Sequence, residues 1–373
     1  MTEAHRPSLS AARRVVVKVG TAVVTRTGGG LALGRLGALV EQIVTLRERG
    51  CEVLLVTSGA IGLGATRLGL ASKPTRVVER QACAAVGQGA LMGLYDALCR
   101  QAGVVAAQVL LTEADFLERE RYLNLAGALE RLLELGALPI INENDTVSTA
   151  ELALDKRMVF GDNDRLSALV SAGLDADLLV ILSDVDGLYT AHPAEPGAER
   201  VSVFHEGVRF ELGEVSKGGR GGMGAKVRAA RIAAQAGVHV VVTSGIRGDA
   251  LLDAVAGADV GTHFPASEVG NKRRRWLAYA TVPAGRLVVN SGASEALCER
   301  GASLLAAGVL RVEQEFDAGA VVSVVTEGGV EIARGVCARS SADARAVLGP
   351  SSGRTKPLVH RDNVVILRHL ELA

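Results

Sequence analysis

Six short apolar runs alternate with segments of helical period, and this alternation limits the possible folds more than any other feature of the chain. The runs are residues 15–19 (VVVKV), 53–56, 104–111, 138–141, 178–182 and 238–242. Near-continuous apolar runs of this length mark strands covered on both faces. Helical spacing fills residues 36–49, 84–101, 121–135, 166–172 and 225–236. Such connections are too long for hairpins, so the order predicts an α/β fold with a mainly parallel central sheet and helices on both faces. Four basic residues in NKRRR, at 271–275, break the pattern and read as a solvated linker. Beyond residue 281 the strands shorten: RLVV, VLRVE, AVVSVV, EIARGV and NVVIL, with a helix at 293–299. A small, mostly β C-terminal domain is the expectation. The chain of 373 residues has room for both cores. The expected division is a tail at 1–12, a first domain at 13–266, a linker at 267–280, a second domain at 281–367 and a tail at 368–373.

Polar residues collect where the strands of the first domain end, the usual place for a ligand in an open α/β sheet. Lys18 lies inside the first run, where an ammonium group needs a partner or a ligand. The second run passes into Thr57-Ser58-Gly59, a strand–turn–helix junction of the kind that presents backbone N–H groups to an anion, although the P-loop spacing is absent. Two acidic-amide clusters follow, Asn142-Glu143-Asn144-Asp145 and Asp162-Asn163-Asp164. They suit an ammonium group or a metal ion, and equally suit turns and helix caps. Ser183 and Asp184 end the fifth run. The glycine-rich stretch GGRGGMGAK runs into a helix with Lys226 in its first turn, an unfavourable place for a cation unless a phosphate is near.

Composition excludes several classes. Formal net charge is zero with a pI near 7.1, and residues 281–373 hold ten basic and ten acidic side chains. That balance argues against a sequence-independent polyanion binder, and against RNA binding by the C-terminal domain. The five cysteines show neither a CxxC nor a metal-ligand spacing and read as thiols of a reducing compartment. The apolar runs fall short of a membrane span and the N-terminus has no signal-peptide core, so a cytoplasmic location is expected.

Taken in order, VVVKVGTAVVT, LLVTSGAIGLG, INENDTVSTAE with GDNDRLSAL, LSDVDGLYT and GGMGAK resemble the amino acid kinase family. Within it they resemble the branch that phosphorylates L-glutamate at the start of proline biosynthesis. Residues 281 to about 367, with VNSGASEALCERGASLLAAGV, resemble a PUA domain. The resemblance implies ATP as phosphoryl donor, with Mg2+ carried by the nucleotide and no metal ligands of the protein's own. It implies phosphate-binding roles for Lys18 and Lys226, with Asp164 positioning them. Ser58, Gly59, Asn142, Asp145 and Asn163 fall at glutamate-binding positions. Ser183, Asp184, Arg220, Gly221, Gly222, Met223, Gly224 and Ala225 fall with Lys18 and Lys226 in nucleotide-binding segments. Further implications are inhibition by L-proline, a homo-oligomer, and handover of a labile acyl phosphate to glutamyl phosphate reductase. This chain departs from the family pattern at Arg220, where threonine is usual, at His192, and in a link between the acidic-amide clusters about six residues longer near 153–158.

Overall fold

A computed structural model describes residues 9–26, 30–72, 74–112, 114–117, 119–147, 163–205, 222–267, 283–348 and 356–367. Contacts divide the chain into two compact units, residues 1–113 with 126–268, and residues 114–125 with 269–373.

The first unit is built on strands β1 (Arg14–Val19), β2 (Glu52–Val56), β3 (Val105–Leu111), β4 (Ala137–Glu143), β5 (Leu178–Ser183), β6 (His239–Ser244) and β7 (Thr262–Phe264). Their order across the sheet is β3-β4-β2-β1-β5-β6-β7. All neighbours are parallel except β7, which runs antiparallel to β6 as an edge. A three-residue strand, Thr-His-Phe, has too little period to be read from sequence. β1 is central: Lys18 lies level with Val56 of β2 and Ile181 of β5. Val15, Val16, Val17 and Val19 are fully buried beside it. Each buried valine contributes about 1.5–3 kcal/mol, so β-branched strand formers hold the one charged residue among them in place.

The helices of this unit include α1 (Thr21–Val24), α2 (Leu33–Glu48), α3 (Ala60–Arg67), α4 (Val77–Gln101), α7 (Asn163–Gly173), α8 (Met223–Gln235) and α9 (Ala250–Val255); of the helices that follow β3, α5 (Ala114–Leu117) and the start of α6 (Arg119–Glu134) fall in the second unit and the rest of α6 in the first. Two of the boundaries that differ from the sequence reading bear on the site. α4 starts at Val77 rather than at 84, because Glu79, Arg80 and Gln81 interrupt any apolar stripe in its first two turns. α7 starts at Asn163 rather than at 166, so the second acidic-amide cluster is not the end of a loop; its last two residues open a helix. By length and apolarity α4 is the one helix among the described residues that would suffice to cross a membrane. Here it packs on α3 and turns Gln88 and Tyr95 inward. Leu9, within the stretch expected to be a tail, forms a short 3-10 turn and joins the core.

The second unit carries a five-stranded sheet in the order β12-β11-β10-β8-β9. Its strands are β8 (Gly285–Val289), β9 (Val309–Glu313), β10 (Val321–Thr326), β11 (Glu331–Cys337) and β12 (Val359–Ile366). Only β8 and β10 pair in parallel. α10 (Ser291–Arg300) is capped by Asn290, whose side chain accepts from the Ala293 N–H. A shorter helix, α11 (Ser341–Ala346), was not foreseen; its N-cap Ser340 accepts from the Asp343 N–H.

Candidate active site

The site lies where the parallel strands of the first unit end, and its charged part comes from three separate elements. β1 supplies Lys18, the first turn of α7 supplies Asp164 and the first turn of α8 supplies Lys226. Asp164 is fully buried; it pairs with Lys18 through one carboxylate oxygen and with Lys226 through the other, at 3.3 Å. Burial alone would push the Asp164 carboxyl up, but the two ammonium groups outweigh it and hold the group below its ordinary value. Both lysines are themselves nearly buried. One carboxylate between two lysines leaves a net positive charge among buried groups, an arrangement that suits an anion.

Beside this triad lies a chain of neutral amides. Asn163 Nδ2 donates to the Thr57 carbonyl at 2.8 Å, to Ser58 Oγ at 3.0 Å and to Asn142 Oδ1 at 3.0 Å. Asn142 Oδ1 also accepts from the Glu143 N–H at 2.9 Å, and Asn142 Nδ2 donates to Gln88 Oε1 at 2.8 Å. Backbone groups fix the sense of this relay. A carbonyl can only accept, so the Asn163 amide must turn its nitrogen to Thr57; an N–H can only donate, so Asn142 must turn its oxygen to Glu143. Two buried atoms are then left without a hydrogen bond among the described residues, Asn163 Oδ1 as an acceptor and Gln88 Nε2 as a donor. Buried polar atoms are rarely left so, and the pair complements a ligand that both donates and accepts.

Close helix packing puts Gln88 here. α3 and α4 cross with backbone against backbone: a Cβ on Gly64 would lie 1.8 Å from the Cys83 carbonyl oxygen, and one on Gly87 would lie 1.8 Å from that of Ala60. Two turns further along α4, Tyr95 is fully buried and its hydroxyl bonds Thr57 Oγ at 2.9 Å. Gly59, with φ +105°, turns the chain from β2 into α3 in a conformation that side-chain-bearing residues rarely adopt.

The other anticipated residues are dispersed around this centre. Ser183 is buried at the end of β5 and bonds Asp184, which is exposed, at 3.0 Å. Gly222 caps α8, which begins with Met223, Gly224, Ala225 and Lys226. Arg220, Gly221 and the lengthened link at 153–158 lie outside the described residues. Among the described residues Asp145 joins none of the relay's hydrogen bonds. It sits instead near Arg80, and burial raises its carboxyl above the ordinary value while Arg80 pulls it down. His192 accepts the Ala194 N–H at 3.3 Å and so closes a turn. Arg80, Gln88 and Tyr95 were not singled out from sequence, and Thr57 only as the start of the junction after the second run; the signal for Gln88 was a polar residue on the apolar face of α4, between Ala84 and Leu91.

Both domains match family models. The amino acid kinase family model matches residues 13–244, and the PUA domain model matches residues 285–356. Fold, site and match together define a small-molecule kinase. Glutamate 5-kinases are similar to it over nearly their whole length: that of Trichlorobacter lovleyi is 43% identical, covering 98% of this chain and 100% of its own. That of Moorella thermoacetica is 42% identical over 98% and 100%, and that of Synechococcus sp. (strain JA-3-3Ab) 44% over 95% and 98%. The chain belongs to the amino acid kinase family, in its glutamate 5-kinase branch.

Proposed function

We propose that this enzyme transfers the γ-phosphoryl group of ATP to the side-chain carboxylate of L-glutamate, giving L-glutamyl 5-phosphate as the first step of proline biosynthesis. The observation that carries this reading is the buried Lys18–Asp164–Lys226 triad next to an amide relay with one acceptor and one donor unmade. A carboxylate oxygen of glutamate bonds the γ-phosphorus while the bond to the β-phosphate oxygen breaks, and ADP leaves. Attacker and target are both anions, so positive charge and positioning carry the catalysis. Lys18 and Lys226 meet the charge that grows on the transferring group, and Asp164 holds the two ammonium groups in register. The attacking carboxylate is ionised at neutral pH, its ordinary pKa being about 4.3, so no general base is needed.

Ser58, Gly59, Asn142, Asp145 and Asn163 form the amino-acid side of the site in this reading. Asn163 Oδ1 suits the ammonium group, and Asp145 adds a negative charge for it. Ser183, Asp184, Arg220, Gly221, Gly222, Met223, Gly224 and Ala225 form the nucleotide side with the lysines. Mg2+ belongs to the ATP. Asp164 is engaged by two lysines, so the ion would be carried chiefly by phosphate oxygens and water. When bound, it offsets phosphate charge.

L-Proline carries the same α-carboxylate and ammonium pattern as glutamate, and inhibition at or beside that pocket follows from the shared chemistry. A homo-oligomer built through the kinase domain, passage of the labile acyl phosphate to a reductase and a cytoplasmic setting complete the reading. The direct test is hydroxamate formation from L-glutamate, ATP, Mg2+ and hydroxylamine. Turnover of glutamate is the expected result; turnover of aspartate or N-acetylglutamate in its place would overturn the substrate assignment.

A further inference from the structure

Both lysines of the site are gathered at Asp164. A glutamate whose side-chain carboxylate reaches them presents its α-ammonium and α-carboxylate at the far end, and an α-carboxylate is best met by a cation. Arg80 stands in the right region. It is the fourth residue of α4, in the first turn, where the helix macrodipole disfavours a cation. It shares the inward side of α4 with Ala84, Gly87, Leu91 and Tyr95, at spacings of three and four. Gln88 flanks that stripe and is tied to Asn142 at the end of β4; Tyr95 is tied to Thr57 at the end of β2. Arg80 is eight residues before Gln88, about 12 Å along the helix, and so lies on the side where the chain leaves β4 through Glu143, Asn144 and Asp145. Its guanidinium is half-buried, and the nearby carboxylates of Asp145 and Glu143 stabilise its charge against that burial.

We propose that Arg80 is a specificity-determining residue whose guanidinium takes the α-carboxylate of the amino-acid substrate while Asp145 takes the α-ammonium. The inference rests on the reading of the enzyme as a glutamate kinase. Arg80 and Asp145 then form a charge pair that a zwitterion answers head to tail, and without substrate each offsets the other. The planar fork of arginine matches a carboxylate with two parallel hydrogen bonds, which lysine cannot reproduce.

The test compares L-glutamate with L-isoglutamine, its α-carboxamide, as substrates of the full-length wild type, R80K and R80Q in the hydroxamate assay. Where isoglutamine is not turned over, its inhibition constant against glutamate replaces kcat/KM. R80Q is expected to cut the preference for glutamate by about tenfold or more, the weight of a lost charge-assisted hydrogen bond. The change falls on the glutamate KM with kcat nearly constant, and R80K gives an intermediate value. An arginine that merely braces the loop would weaken both substrates alike, and an unchanged preference in R80Q would overturn the proposal. A wild type that turns over no glutamate would overturn the functional reading, and the role of Arg80 with it.

Discussion

Asp164 and Asp145 come from two similar acidic-amide clusters, yet the fold gives them opposite surroundings. Asp164 opens a helix, is fully buried and has an ammonium group on each oxygen. Its carboxyl is held below the ordinary range. Asp145 follows a strand, is partly covered and has one guanidinium nearby, and its carboxyl is raised. The first is a fixed anchor whose charge is spent within the protein. The second has a single guanidinium near it, and in the proposed reading its charge answers the substrate ammonium. In the proposed reading identical side chains serve as scaffold at one end of the site and as recognition group at the other, and the difference lies in how many cations the fold brings to each.

The largest expected effect is at the anchor. Asp164→Asn leaves two buried ammonium groups without their carboxylate, and breaking a buried ion pair in this way costs about 3–5 kcal/mol. Denaturant unfolding of the variant measures this; a loss under about 1 kcal/mol, typical of an exposed pair, would remove the distinction from Asp145. Next comes Lys226→Ala. It removes one cation from the transferring phosphoryl group and is expected to lower kcat by about a hundredfold to a thousandfold, with the glutamate KM little changed. A KM effect without a kcat effect would move Lys226 from the chemical step to binding. Gln88→Leu is smaller: Asn142 loses an acceptor and the ligand a donor. The glutamate KM should rise by about tenfold, one buried hydrogen bond's weight, at nearly constant kcat. Equal loss in KM and kcat would show that the relay also positions the triad.

The strands of the kinase sheet were legible in the sequence because each is a dense apolar run, and Lys18 stood out as a charge inside one. The pairing of Lys18 with Asp164, 146 positions apart, was implied by the family resemblance alone and by no local pattern; it depends on β1 being central and on α7 starting three residues before its apolar period begins. Gln88 was hidden for a related reason. Its position is set by the Gly64–Gly87 crossing of α3 and α4, a contact between backbones that no side-chain pattern announces. Arg80 carries no signal of its own in the sequence, and acquires meaning only from the carboxylates near it at the end of β4. β7 was missed because three residues carry no period, and its place is fixed by β6 beside it.

The smallest expected effect separates the two aspartates by pH. Lowering the folded-state pKa of Asp164 gives stability that is fully present above the unfolded value of 3.8 and is lost only as pH falls through the still lower folded value. Above pH 3.8 the anchor therefore stays intact. Asp145 is raised above the same 3.8, so it takes up its proton earlier on acidification. Each protonation removes a negative charge from the ammonium side of the site. The KM for glutamate, expressed for the form whose side-chain carboxylate is ionised, should accordingly rise as the assay is taken from neutrality toward acid, while unfolding stability from the Asp164 pair and kcat at saturating ionised glutamate hold steady. Asp145→Asn provides the control: its KM should be high at every pH and should lose the acid limb. A wild-type limb that survives in Asp145→Asn would assign the titration to another group, and a fall in kcat along the same limb would place the proton on the phosphoryl side of the site instead.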